Sequence, residues 1–315
     1  PSQPAPVRAK ALDLLERFKD PRVPAATKTA GQSSESELRL AALPIAARLA
    51  PDDAEPVLTA LVANGSRNER RAALKALAPL VHPGVDAFFQ EQLTRLADGK
   101  VDPAIQLELL DAAAQRSAPG VKKLLDARTA ALAASTDPLA PYRETLAGGD
   151  APAGAKIFSS QPVMACVKCH ALNGEGGAAG PDLASVGVNN TREYLLESLI
   201  KPNARIAPGF DTVVVTLKNG TVSAGTIAKE TDTTLTLNPI EGKPIEVTKA
   251  DIARRDTAPS SMPEIYGTIL SKTELRDMVE FLATQKARPP QKPAEEQALR
   301  ACRDIRAVLA AKPRP

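Results

Sequence analysis

Cys166-Val167-Lys168-Cys169-His170 carries the most specific chemistry in this chain. A C-x-x-C-H pentapeptide is the covalent attachment signal for a c-type haem. Two thiols add across two vinyl groups on one porphyrin edge, and the two intervening residues let both sulfurs reach that edge. The histidine that follows comes under the ring, with its imidazole toward the iron. The chain has three Cys and two His, so three scarce residues meeting within five positions is poorly explained by chance. A thioredoxin-like C-x-x-C should sit in a βαβ context, which is missing around this one. A structural zinc site wants a second C-x-x-C or a His pair at ligand spacing. The remaining candidates, Cys302 and His82, are distant and isolated. His82, beside Pro83 in a helical turn, reads as a structural or surface histidine. The expectation is one covalently attached haem c, with thioethers at Cys166 and Cys169 and His170 as the proximal iron ligand.

Composition sets the broad class. At 315 residues the chain has room for two or three domains. No run of about 18 apolar residues appears, so no transmembrane helix is expected. The chain opens Pro1-Ser2-Gln3-Pro4 without a basic-then-apolar leader, and a signal peptide is expected to have been removed. Haem attachment at C-x-x-C-H takes place outside the cytoplasm, so a periplasmic or otherwise extracytoplasmic home follows. A net charge of +3, from 40 basic and 37 acidic residues, is too slight to imply a nucleic-acid partner. With no Trp, six Phe and three Tyr, the core must be built largely from Ala, Leu, Val and Ile.

Residues 1–149 read as helix pairs. A first helix pattern (Val7, Ala11, Leu14, Leu15, Phe18) is followed by a Pro/Thr/Ser-rich stretch, Asp20 to Ser36, expected to be a loop. Beyond it apolar residues recur at helical spacing: Leu38, Ala41, Ala42, Ile45 and Leu49, then Val57, Leu58, Leu61 and Val62. Three blocks start near Glu37, Glu69 and Pro103, 32 and 34 residues apart. Each pairs an Ala/Leu helix with a second helix across a turn containing Pro51, Pro83 or Pro119. Such self-similarity marks an all-α solenoid, and the blocks resemble HEAT repeats in pattern; an irregular helical bundle is the alternative.

Residues 150–287 resemble a class I-like cytochrome c domain. Gly154, Ile157 and Phe158 in G-A-K-I-F look like its N-terminal helix, where a glycine and an aromatic cross the C-terminal helix. The partner here is the Leu275–Gln285 segment, with Leu275, Met278, Val279 and Leu282 as a stripe and Phe281 alongside. Asn173–Gly180 is a Gly-rich loop able to approach a ring edge closely. Gly180-Pro181-Asp182-Leu183 resembles the cytochrome c segment whose Pro carbonyl accepts a hydrogen bond from the ligand histidine, which fixes the ring tautomer. Thr191 is a candidate N-cap for a helix ended by Pro202. For the other face of the iron, Met164 is held beside the attachment cysteines and Met278 belongs to the helical stripe. Met262, in Ser260-Ser261-Met262-Pro263, stands where class I cytochromes place a distal methionine, and it is the expected distal ligand. A thioether favours the ferrous state.

Between them the period changes. Thr212–Leu217 alternates and is β-branched, Asn219-Gly220 signals a tight hairpin, and Val222–Ala228, Thr233–Leu237 and Ile245–Thr248 continue as strands. This stretch, 210–257, resembles a small Sm-like β-barrel inserted into the haem domain. Arg205, Arg254 and Arg255 near its junctions are candidate contacts for haem propionates. Residues 288–315 read as a Pro-rich linker and an amphipathic helix (Leu299, Cys302, Ile305, Leu309), suited to folding back on the repeats or to pairing two chains as a homodimer. Cys302 reads as a buried thiol, with an intermolecular disulfide as the alternative.

Over about Asp150 to Lys286 the chain resembles the haem-binding domain of planctomycete and verrucomicrobial exported proteins. The resemblance rests on G-A-K-I-F, C-V-K-C-H, G-P-D-L, K-P-N-A-R-I-A-P-G-F, L-K-N-G-T-V-S-A-G-T-I and S-M-P. In that family HEAT-like repeats precede the haem domain and a propeller resembling sugar dehydrogenases often accompanies it. The resemblance therefore implies a redox partner protein of the propeller-dehydrogenase type. One-electron transfer by a monohaem cytochrome is the leading functional expectation. A haem enzyme or gas sensor with an open distal site is the alternative, and a scaffold with a structural haem is a third reading.

Overall fold

The computed structural model describes residues 3–160, 166–240 and 242–286. The described chain is largely helical with a small sheet, and it divides into two compact units, Pro1–Gly148 and Gly149–Pro315. The linker and helix expected over 288–315, with Cys302 and the proposed dimer contact, lie outside the described residues, as does Met164.

The first unit holds α1 (Ala5–Arg17), α2 (Val23–Gly31), α3 (Ser36–Leu49), α4 (Pro51–Asn64), α5 (Arg67–Leu77), α6 (Pro83–Ala97), α7 (Gln106–Ala114) and α8 (Pro119–Ala133). The loop expected over Asp20–Ser36 is corrected: most of it is α2. Val23, Thr27 and Ala30 are buried at spacings of four and three, a helical stripe that the polar composition hides. Pro24 stands in its first turn, where its missing N–H costs nothing. Pro51, Pro83 and Pro119 likewise open α4, α6 and α8 rather than merely bending a turn. Leu49 and Val57, expected in apolar stripes, are about half exposed. His82 is the N-cap of α6, where its Nδ1 accepts from the Gly84 N–H at 3.1 Å.

Alternate helices pack on one another: α1 on α3, α3 on α5, and α5 on α7. A cation ladder follows the same step. Arg8, Arg39 and Arg70 are each the fourth residue of their helix, and they bond Glu35, Glu69 and Asp102 at 3.0, 2.9 and 2.6 Å, at the start of the next block. Glu69 also closes a capping box with Ser66. The Ser66 hydrogen bonds, then Arg39, hold its carboxyl down from 4.5 to about 2. A lowered folded-state pKa means stability that is present at neutral pH and lost as pH falls through that window. Glu69→Gln, which keeps the capping-box geometry but removes the charge facing Arg39, should therefore cost about 0.5–1 kcal/mol at pH 7. In chemical denaturation the gap to the parent should close between pH 4.5 and about 2.

The second unit begins with α9 (Ala151–Ser160), α10 (Cys166–Cys169), a hairpin of β1 (Ala171–Leu172) and β2 (Glu175–Gly176), α11 (Val186–Asn189) and α12 (Arg192–Ile200). The strands β3 (Thr212–Leu217), β4 (Val222–Glu230), β5 (Thr234–Asn238), β6 (Ile245–Thr248) and β7 (Ile252–Ala258) follow. The chain then enters α13 (Tyr266–Ile269) and α14 (Lys272–Thr284). The five strands are antiparallel in the order β6-β5-β4-β3-β7. Val213, Val215, Leu235, Leu237 and Val247 form the apolar side of this sheet. The seventh strand, β7, was not anticipated as a strand.

α9 and α14 cross at close range. A Cβ on Gly154 would stand 2.1 Å from the Asp277 carbonyl oxygen, so only glycine lets the backbones approach this far. Phe158 and Phe281 pack in a tilted pair beside the crossing, with centroids 5.5 Å apart. Asp277 Oδ1 accepts from the Asp150 N–H at 2.8 Å, and Asp150 in turn caps α9 through Ala153. Arg192 of α12 grips Glu280 with two hydrogen bonds of 2.8 and 2.9 Å. This helical frame holds the attachment turn.

Candidate functional site

Cys166 and Cys169 sit at the two ends of the single helical turn α10, both partly buried. The turn continues into His170, whose N–H donates to the Cys166 carbonyl at 2.8 Å. The chain then folds back over itself. Gly177 N–H donates to Val167 O at 2.9 Å, and Gly180 N–H donates to Cys169 O at 2.7 Å. Asn173 and Gly174 both adopt positive φ, 57° and 84°, which makes the β1–β2 connection a tight two-residue turn. The approach leaves no room for side chains. A Cβ on Gly177 would fall 1.7 Å from the Lys168 carbonyl, and one on Gly180 would fall 2.6 Å from His170 Cε1.

His170 Nδ1 lies 2.9 Å from the Pro181 carbonyl oxygen. A carbonyl only accepts, so Nδ1 carries the proton and Nε2 keeps its lone pair. Burial lowers the histidine pKa, against an opposing pull from the Pro181 hydrogen bond, so the ring is neutral and able to ligate. Burial pushes the Cys166 thiol up to about 11 and raises that of Cys169. Among the described residues, no group of three or more His, Cys, Asp or Glu gathers as a bare metal site. A protonated thiol pair on one helical turn, a neutral imidazole with its Nε2 free of the Pro181 bond, and a glycine-lined return loop fit covalent haem.

Asp182, within the G-P-D-L segment, has no role of its own assigned from the sequence, and Tyr266 carries no signal there. Asp182 spans the return loop: Oδ2 accepts from Gly174 N–H at 2.7 Å and Oδ1 from Ala184 N–H at 2.8 Å. Tyr266 is buried at 5 % exposure. Burial first, then the charges of Cys166 and Cys169, push its hydroxyl up to about 12.

Met262 is partly buried in a loop held by several ties. Its N–H donates to Ser260 Oγ at 3.2 Å, Ser260 N–H donates to Asn203 Oδ1 at 2.8 Å, and the hydroxyls of Ser261 and Thr212 meet at 2.9 Å. Met278 is 1 % exposed within the α14 core. The three candidate arginines each face a carboxylate of their own. Arg205 is 2.8 Å from Glu197 and lies over the Tyr194 ring, Arg254 is 2.7 Å from Asp256, and Arg255 is 3.0 Å from Glu230. The structure thus joins Cys166, Cys169, His170 and Pro181 in one cluster and engages Arg205, Arg254 and Arg255 in other pairs. Thr191 caps α12 through the Tyr194 N–H, as its position predicts.

No helix among the described residues is long and apolar enough to cross a membrane. No curated protein matches the chain. The cytochrome c family model matches residues 151–235, from α9 through the attachment turn into the sheet, stopping short of Met262 and α14. Residues 151–235 are accordingly part of a cytochrome c domain, whose cofactor is covalently bound haem c and whose chemistry is haem-based electron transfer.

Proposed function

We propose that this chain is a monohaem electron-transfer protein in which Cys166 and Cys169 form the thioethers, His170 Nε2 is the proximal ligand and Met262 the distal one. When bound, the haem supplies an iron that passes between the ferric and ferrous states. The observation that carries this reading is the 2.9 Å contact of His170 Nδ1 with Pro181 O. It fixes the tautomer, leaves the Nε2 lone pair available and makes the imidazole a stronger donor. Met262 sits in a tied loop, so its thioether is held in place rather than recruited, which suits a ligand that must persist in both redox states. Val167 and Lys168 between the cysteines are exposed, so the attachment turn lies at the surface, where an electron enters or leaves.

The finer assignments belong to the same proposal. The helix pairs and their 30-to-32-residue ion ladder from Arg39 and Arg70 support a HEAT-like repeat unit, and the strand order supports reading the insertion as a small Sm-like barrel module. Both would serve as docking surfaces for a redox partner. The resemblance to planctomycete-type exported haem proteins favours a propeller-type dehydrogenase as donor, in an extracytoplasmic compartment. Matured protein should show an intact mass increased by one haem, a sharp α-band on reduction, low-spin spectra in both redox states and no rapid carbon monoxide binding. A high-spin ferric spectrum with ready carbon monoxide uptake would replace this reading with an open-site haem enzyme or sensor.

A further inference from the structure

Two contacts made by the inserted sheet have a common geometry. Thr212 in β3 is the backbone partner of Thr226 in β4, and Thr226 is the partner of Asn238 in β5. Residues directly opposite across an antiparallel sheet point to the same face. Thr212, Thr226 and Asn238 therefore form one row across three strands, about 10 Å long at two strand spacings. They alternate with Val213 and Leu237, so the row lies on the face opposite the apolar cluster of Val213, Val215, Leu235, Leu237 and Val247. Thr226 is nevertheless 2 % exposed and Thr212 7 %, so this polar face is covered. At one end Asn238 Nδ2 donates to the Ala178 carbonyl at 3.1 Å, 60 residues back in the chain. Ala178 stands in the return loop between Gly177 and Pro181. At the other end the Thr212 hydroxyl meets that of Ser261 at 2.9 Å, next to Met262.

We propose that the row Thr212–Thr226–Asn238 is a strut that fixes the spacing between the His170 return loop and the Met262 loop, with Thr212 and Asn238 as positioning residues for axial ligation. The inference rests on the reading of Met262 as distal ligand. It gives the insertion a task beyond docking: a ligand or partner that twists the sheet would move one axial loop against the other. A strut acts through its whole length, so releasing either end relaxes the same constraint. A contact that merely stabilised its own loop would act locally.

The test is imidazole binding to the ferric holoprotein, followed optically, because imidazole competes with Met262 for the iron. Thr212→Val and Asn238→Asp, which remove one hydroxyl and one donor with little change of shape, should each tighten imidazole binding about fivefold, the factor of one net hydrogen bond. The double variant should also stand near fivefold, not at the product of about 25-fold that independent sites would give. Thr212→Ser should restore the parent affinity. Thr236→Val, on the same face of β5 but outside the row, should leave it unchanged. The strut is overturned if Asn238→Asp stays within twofold of the parent, if the double variant is multiplicative, or if Thr236→Val behaves like the others. Met262→Ala is run alongside. If it binds imidazole no tighter than the parent, the distal-ligand reading fails and the strut with it. If it binds much tighter while Asn238→Asp does not, the strut alone fails.

Discussion

Gly154→Ala should lower the melting temperature of the matured protein by about 12 °C, and Gly154→Val should leave little haem-loaded protein to purify. An added Cβ would stand 2.1 Å from Asp277 O and 2.6 Å from Phe281 Cβ. The first of these is backbone, so no rotamer change relieves it. The helices α9 and α14 must move apart by about an ångström to restore ordinary contact, and their separation opens the packing of Phe158, Val279, Phe281 and Leu282, all 6 % exposed or less. Overpacking of this kind costs about 3 kcal/mol; at roughly 4 °C per kcal/mol for a unit of this size that is the stated shift. Valine adds two further methyl groups at the same crossing, and the total approaches the whole stability of a small domain. Calorimetry on the alanine variant and the yield of haem-loaded valine variant are the measurements. An alanine variant melting within 2–3 °C of the parent, below the roughly 4 °C of a single kcal/mol, would mean that the crossing is looser than described.

The parts of the fold that were legible in the sequence are those with a strong local period or a scarce residue type. β3 and β6 have the bounds their alternation predicts, and α3, α5 and the start of α7 follow the three blocks. The C-x-x-C-H turn was legible because Cys and His are rare here. What was not legible had its cause elsewhere in the chain. α2 is assembled from Val, Thr and Ala between polar residues, and it forms because Val23 and Ala30 are buried against Leu38, Ala42 and Ile45, not from local propensity. β7 carries Arg254, Arg255 and Asp256 in succession, a poor strand by pattern. It pairs with β3 along most of its length, with Arg254 and Arg255 opposite Thr216 and Val215. One side of an edge strand tolerates charge.

The same division holds within the site. Pairwise chemistry between chain neighbours can be read from spacing, as with Cys166, Cys169 and His170. Asp182 could have been suspected, since an Asp two residues after a glycine turn is a common acceptor for backbone N–H groups, but its second partner, Gly174, is set by the β1–β2 turn. Tyr266 has no periodic signal at all: its burial comes from tertiary packing that no local pattern announces. For the arginines, proximity to module junctions suggests propionate contacts, and spacing does not show that Glu197, Asp256 and Glu230 stand 2.8, 2.7 and 3.0 Å from Arg205, Arg254 and Arg255.

Met262→Ala should lower the midpoint potential by on the order of 100 mV or more, which corresponds to losing a roughly hundredfold preference for the ferrous state at 59 mV per tenfold. A thioether is a soft ligand that stabilises ferrous over ferric iron, and alanine leaves nothing to replace it. The loop itself should persist, because the ties from Asn203 to Ser260 and from Thr212 to Ser261 do not involve the methionine side chain. The variant should therefore stay folded, with a melting temperature close to the parent's, and acquire high-spin character together with carbon monoxide binding. Met278→Leu provides the contrast. That residue is 1 % exposed in the α14 stripe, and a volume-conserving swap there should cost less than about 1.5 kcal/mol and leave potential and spectrum untouched. If Met262→Ala keeps the parent potential, Met262 is not the distal ligand. If the potential falls in both variants alike, the effect reports general loosening of the haem pocket instead of a lost iron–sulfur bond.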